Sequence, residues 1–152
     1  MGVEMLVIAH RGNLNGPNPR LENKPSYIQK AINKGFQVEI DVWCMGNKWY
    51  LGHDKPQYLI DFTWLDKRYN DLWIHCKNIK AMHELLKHGG IFYFFKFFFH
   101  QNDDFTLTSN GKLWINVNYN GKLTKDCIVC DFNNSRKVDN IYGVCTDFPS
   151  KI

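Results

Sequence analysis

Eight short runs rich in β-branched and aromatic residues recur along the chain, separated by turn formers: "MLVIAH", "FQVEIDVW", "LWIHCK", "IFYFFKFFF", "DFTLTS", "KLWINV", "CIVCDF" and "IYGVCTDF". Each reads as a strand. Only two intervening segments carry a convincing helical period. From Pro25 to Lys34, the residues Tyr27, Ile28, Ala31 and Ile32 form one apolar stripe, with Pro25 suited to the first turn and Gly35 to a stop. From Ile79 to His88, the residues Ile79, Met82, Leu85 and Leu86 share a face ahead of Gly89 and Gly90. "IDFTWLDKRY" holds a third, brief helical pattern.

Both helical segments follow an early strand and precede another, an order that favours a parallel sheet with right-handed crossovers. Spread over eight strands, the chain has about 19 residues per unit, well short of a full (β/α) barrel of about 250 residues. The expectation is a single α/β domain over residues 1–152, a compact or truncated TIM-type barrel with several outer helices missing.

The formal charge of +4 suits an anionic small molecule, and the Lys and Arg residues are scattered rather than gathered on one element. A nucleic-acid partner is therefore not expected. "IFYFFKFFF" is far shorter than the roughly 20 residues needed to span a bilayer, so no membrane span is expected. The start of the chain has neither the basic stretch nor the cleavage site of a signal peptide. Cys44, Cys76, Cys127, Cys130 and Cys145 sit in apolar runs, where a free thiol behaves as a small buried hydrophobe, and this fits a reducing, cytoplasmic setting. Cys127 and Cys130 have C-x-x-C spacing, but three steps along a strand put them on opposite faces. With few helices to cover the sheet, exposed strand faces could pair two subunits into a homodimer.

Strand alternation gathers chemistry at one end. Leu6, Ile8 and His10 share a face of the first strand; Gln37, Glu39, Asp41 and Trp43 share one of the second; Trp73, His75 and Lys77 share one of the third. Polar groups thus arrive at strand C-termini, where parallel α/β folds bind ligands. Two carboxylates within one strand repeat require a cation to offset their repulsion. Gly46 and Asn47 form a tight turn into a short returning strand, which carries His53 back over the same end. Arg11 could grip phosphate oxygens, a cation on Glu39 and Asp41 could neutralise charge, and the histidines could move protons.

The series "AHRGN…LENKPSYIQKAINKGFQVEIDVWC…GHD" resembles the glycerophosphodiester phosphodiesterase family of the wider phosphatidylinositol-specific phospholipase C-like barrels, with "GVCTDFP" similar to the family's closing strand. The resemblance implies a metal-dependent phosphodiesterase of lipid-related metabolism acting on a small glycerophosphodiester-like substrate. It implies His10 and His53 as acid and base, Arg11 as a phosphate contact, and Glu39 and Asp41 as ligands to one divalent cation, Mg2+ or Ca2+. The family's third ligand is an acid in an E-x-K pattern; here His75, Cys76 and Lys77 stand in its place.

That departure leaves three readings open. His75 ligates, which tilts preference towards Mn2+ or Zn2+; or it stands aside while Glu39, Asp41 and water hold the ion; or the site is degenerate. Lys77 and His100 are further candidate phosphate contacts, while Glu22 and Asn23 are expected to cap or fix the first helix. Trp43 and Trp114 could wall the substrate or fill the core. Besides hydrolysis, two alternatives stand: a catalytically weak module that binds phosphorylated ligands, and a nucleic-acid phosphodiesterase or binder.

Overall fold

A computed structural model describes residues 4–89 and 95–152. All eight expected strands are present, although Ile91 to Phe94 of the aromatic run lie outside the described residues. In chain order the elements are β1 (Leu6–His10), α1 (Pro25–Asn33), β2 (Gln37–Met45), β3 (Lys48–Leu51), β4 (Tyr58–Ile60), α2 (Phe62–Asp66) and β5 (Leu72–Cys76). There follow α3 (Ile79–Gly89), β6 (Lys96–Phe98), β7 (Phe105–Leu107), β8 (Leu113–Ile115), β9 (Cys127–Cys130), β10 (Gly143–Thr146) and a 3-10 turn at Pro149–Lys151.

One sheet holds all ten strands. Its parallel body runs β6, β5, β2, β1, β10, β9, β8, and β7 adds antiparallel to β8 at the far edge. β2 outlasts β1, and its last residues, Val42 to Met45, turn at Gly46 and Asn47 to pair with β3. Gly46 takes a positive φ of 60°, which a two-residue hairpin loop favours.

The sheet is curled. Ile8, Trp73, Phe98, Trp114, Ile128 and Cys145 come from strands spread across its whole width yet pack into one cluster. Phe98 of β6 stacks on Trp114 of β8 with ring centroids 4.3 Å apart, although the two strands lie towards opposite edges. A single serine in the β7–β8 turn stitches the approach: Ser109 donates its N–H to the Phe97 carbonyl at 2.8 Å, accepts from the Phe97 N–H at 2.9 Å, and donates its hydroxyl to the Phe95 carbonyl at 2.9 Å.

The protein is thus mixed α/β with a curled sheet and few helices, and not a full TIM barrel. α1 and α3 cover the outer face, where Val38, Ile40, Val42, Leu72 and Ile74 pack with Ile28, Ala31, Ala81 and Leu85, all fully buried. Over β8 and β9 no α-helix covers the sheet among the described residues. Loop side chains Tyr119, Leu123, Val138 and Ile141 bury Ile115, Cys127 and Val129 instead, which is how so short a chain does without outer helices.

The α3 stripe differs from expectation. Leu85 and Ala81 are buried and Met82 partly so, whereas Ile79 is 86% exposed and Leu86 55%. Small Ala81 allows the helix to lie close on β2, and that docking rotates Ile79 and Leu86 outward. The brief third helix exists as α2. All five cysteines are free and buried, with Cys127 on the outer face and Cys130 on the inner, as alternation requires. No helix of the described residues is long and apolar enough to cross a membrane.

Candidate functional site

The site begins where β1 stops. After His10 the chain turns left-handed, with Arg11 at φ 52° and Gly12 at φ 87°. The Arg11 N–H still reaches the Glu39 carbonyl at 2.9 Å, so the turn stays tied to β2. Gly12 is required there on two counts. Its φ disfavours L side chains, and a Cβ would stand 3.0 Å from the Tyr27 ring and 3.3 Å from the Ile28 nitrogen.

The turn lays the Arg11 guanidinium across two acids: Nε is 3.1 Å from Asp41 Oδ2, and Nη1 donates to Glu22 Oε2 at 3.2 Å. Burial works to lower the Arg11 pKa, but Asp41, Glu39 and Glu22 outweigh it and raise it. Two of the three guanidinium nitrogens are therefore engaged by carboxylates. The fork expected for phosphate has one terminal nitrogen left for an anion.

Glu39 and Asp41 project from β2 into the curl, 3% and 0% exposed. Asp41 is densely supported. Asn23, itself at φ 63°, donates Nδ2 to Asp41 Oδ2 at 2.8 Å and accepts the Asp41 N–H at 2.9 Å, while Lys77 Nζ lies 3.8 Å from Oδ1. Burial pushes the Asp41 pKa up, but the close His75 ring, Arg11 and Asn23 pull it below the usual carboxylate range. Glu39 goes the other way: burial and the neighbouring Asp41 charge raise it well above normal, only partly opposed by Arg11 and Lys77. Asp41 Oδ1 and Glu39 Oε2 are buried with no hydrogen-bond partner among the described residues.

His10 faces these acids. Its Nδ1 donates to Asp147 Oδ1 at 2.7 Å, its ring stacks on Phe132 at 4.2 Å, and Nε2 is left 3.8 Å from Glu39 Oε2. Asp147 is held in turn by Asn13, whose Nδ2 donates to Asp147 Oδ1 at 2.8 Å and to Glu22 Oε1 at 2.9 Å, and whose Oδ1 accepts from the Tyr27 hydroxyl at 3.1 Å. Glu22 and Asn23 therefore do not cap α1, which has no side-chain cap bond; they position Arg11, Asn13 and Asp41. Sequence reading passed over Asp147 and Asn13. The available signal was alternation, since Asp147 follows inward-facing Cys145 by two residues, at the strand end beside His10.

His75 completes the cluster from β5, opposite Asp41 in the strand register. Its Nε2 donates to the His100 carbonyl at 2.8 Å, and its Nδ1 lies 3.1 Å from Asp41 Oδ1 and 3.8 Å from Glu39 Oε1. One ligand-type atom from each of Glu39, Asp41 and His75 falls within 4.8 Å of the others, a set that could hold a metal ion.

His100 reaches the same cavity, but its Nε2 accepts from Asn116 Nδ2 at 3.3 Å, and burial followed by nearby His75 lowers its pKa. The His100 Nδ1 is buried with no hydrogen-bond partner among the described residues. Trp114 is both wall and core, lining the cavity and stacking on Phe98. His53 stands apart from the cluster. The Gly52 N–H bonds the Asp41 carbonyl at 3.1 Å, which places His53 at the correct end of β2, yet its ring is 42% exposed and bonds Asp54 at 2.7 Å.

His10, Arg11, Glu39, His75, His100 and Trp114 line a cavity of about 200 Å³. A larger, more open depression of about 490 Å³ lies elsewhere, beside Arg136 and Lys151, and contains none of these groups. The smaller cavity is where an oriented imidazole faces the unsatisfied buried oxygen of Glu39. Compared with protein-family models, curated proteins and solved structures, the chain matches none.

Proposed function

We propose that this protein hydrolyses a small phosphodiester, using a divalent cation and histidine acid–base chemistry at the mouth of a truncated (β/α) barrel. One observation carries the reading. An imidazole fixed through Nδ1 by Asp147 lines a cavity of about 200 Å³ together with the buried acid Glu39 and the imidazole of His75, behind which Asp41 lies fully buried within ligand distance of both. Such a cavity suits a headgroup-sized ligand better than a polymer.

The orphaned oxygens of Glu39 and Asp41 and the adjacent His75 nitrogen fit a bound cation. A cation there would stabilise charge developing on the phosphoryl oxygens. The remaining steps belong to the chain. Arg11 offers its free nitrogen, and Lys77 its ammonium, to the phosphate. His10 Nε2 takes the proton from a substrate hydroxyl beside the phosphate as that oxygen attacks phosphorus and the bond to the leaving alcohol breaks. His53 gives the leaving alcohol its proton after exchanging Asp54 for the substrate. Water then opens the cyclic diester with the proton transfers reversed.

A second reading has its own support: with His53 turned to Asp54 and Arg11 spread over two acids, the site could bind phosphorylated ligands without turnover. Incubation of the protein with an aryl phosphodiester and with glycerophosphodiesters, with and without each divalent metal, separates the two. Metal-dependent product that disappears in His10→Ala and in EDTA supports hydrolysis. Calorimetric binding without product supports the binding module, and product that survives His10→Ala excludes the mechanism.

A further inference from the structure

The geometry points to His75 Nδ1 as the third protein ligand of the cation, and so to a zinc-like first-row ion rather than Ca2+ or Mg2+ as the ion this site selects. The inference deepens the proposed function by naming its metal class, and it rests on that reading only in taking Glu39, Asp41 and His75 as one centre.

The His75 tautomer comes first. A backbone carbonyl can only accept, so the 2.8 Å bond to the His100 carbonyl requires hydrogen on Nε2 and leaves a neutral ring its lone pair on Nδ1. Phe98 holds the ring plane, stacked 10° from parallel at 5.2 Å. A carbonyl bonded to the far nitrogen of an imidazole is the usual outer support of a metal-bound histidine, and it makes the ligating nitrogen more basic.

The neighbours of Nδ1 come next. Asp41 Oδ1 lies only 3.1 Å away as an ion-pair contact, yet that buried oxygen accepts no well-formed hydrogen bond among the described residues. Glu39 Oε2 is likewise buried without a partner. Two buried carboxylates with an unsatisfied oxygen each, Glu39 turning Oε1 towards His75 Nδ1 and Oε2 towards His10, together with the His75 nitrogen describe a ligand set better than an ion pair.

The donor set then decides the metal. Arg11 and Lys77 both stand against Asp41, with Arg11 shared with Glu22, so no further oxygen donor is added to the two carboxylates. Ca2+ is held by many oxygens, and Mg2+ keeps its own waters; both find here only two carboxylates beside a nitrogen. A nitrogen donor adds affinity that does not depend on charge, and imidazole favours zinc-like ions, with Mn2+ the weakest of the first-row series.

The test is calorimetry and long-range 1H–15N imidazole spectra on the metal-stripped full chain with Zn2+, Mn2+, Ca2+ and Mg2+, repeated with His75→Glu and Glu39→Gln. Expected is one Zn2+ bound more than about tenfold tighter than Ca2+, with Mn2+ between them. The His75 Nδ1 resonance should shift on Zn2+ addition while Nε2 keeps its proton. Glu39→Gln should abolish the binding, and His75→Glu should reverse the order in favour of Ca2+ and Mg2+. Binding of Ca2+ as tight as Zn2+ overturns the proposal, as does a His75 protonated on both nitrogens and unmoved by Zn2+. Should His75→Glu fail to fold, the wild-type spectra decide. Zn2+ binding without phosphodiester hydrolysis would sink the proposed function and leave this inference standing; hydrolysis supported by Ca2+ alone would do the opposite.

Discussion

The interior of the curled sheet has two ends, both lined with polar side chains, half-buried at one end and largely buried at the other, and they differ in completeness. At the N-terminal end, Gln37 Oε1 accepts from Trp73 Nε1 at 2.7 Å and from Lys96 Nζ at 2.9 Å; Lys96 also donates to the Asn70 carbonyl at 2.6 Å and lies 4.9 Å from the centre of the Trp73 ring. That cluster closes on itself. At the C-terminal end, one step further along the same strands, Glu39, Asp41 and His75 leave two carboxylate oxygens unpaired. A buried polar group without a partner is costly, so the first end is a satisfied cluster and the second carries a cost that a bound ion would relieve.

The largest expected effect is on turnover at the open end. His10→Ala should lower phosphodiester hydrolysis by about 10²- to 10⁴-fold in steady-state assays, with its melting temperature little changed. At the closed end the pattern should invert. Gln37→Leu strips the acceptor from both Trp73 and Lys96 and should cost about 2 kcal/mol in denaturant unfolding, leaving turnover per folded molecule unchanged. Equal losses of activity from both variants would erase the distinction.

Glu39→Gln sharpens the comparison with a gain. Because its folded pKa is raised, Glu39 keeps a proton in the folded chain that the unfolded chain releases above about pH 4.5. Stability without metal therefore falls as pH rises from there towards the raised value. The amide should remove that slope and add about 1 kcal/mol at neutral pH while abolishing turnover, a difference that thermal melts across pH would read. The smallest effect belongs to Lys96, whose pKa burial lowers to about 8 from 10.5. Between those values the unfolded chain holds a proton that the folded one has lost, so stability should rise with pH across this window. Lys96→Met should flatten the rise, by about 2 °C in melting temperature.

Much of this was legible in the sequence. Alternation placed Gln37, Glu39 and Asp41 on one face of β2 and Val38, Ile40 and Val42 on the other, and both faces are buried, so parity identified the two sets without saying which faced the cavity. The end of β1 at His10 was legible, but the left-handed turn that follows at Arg11 and Gly12 was not. What sequence could not supply was contact between distant elements. The His100 carbonyl that orients His75 and the Asp147 carboxylate that orients His10 lie 25 and 137 residues away along the chain. The way α3 seats on β2 through Ala81, exposing Ile79, is decided by surface fit and not by periodicity. His53 was legible as to which end of β2 it occupies, but a loop side chain's direction is set by its nearest partner, here Asp54.

The most direct measurement is phosphorus NMR of a glycerophosphodiester incubated with metal-free protein, then with Zn2+ added, then with EDTA in excess. The account predicts a phosphomonoester signal that grows only after metal addition and stops with the chelator. A diester signal unchanged throughout, under any divalent ion, would contradict the claim that the open end of the sheet is a reaction centre.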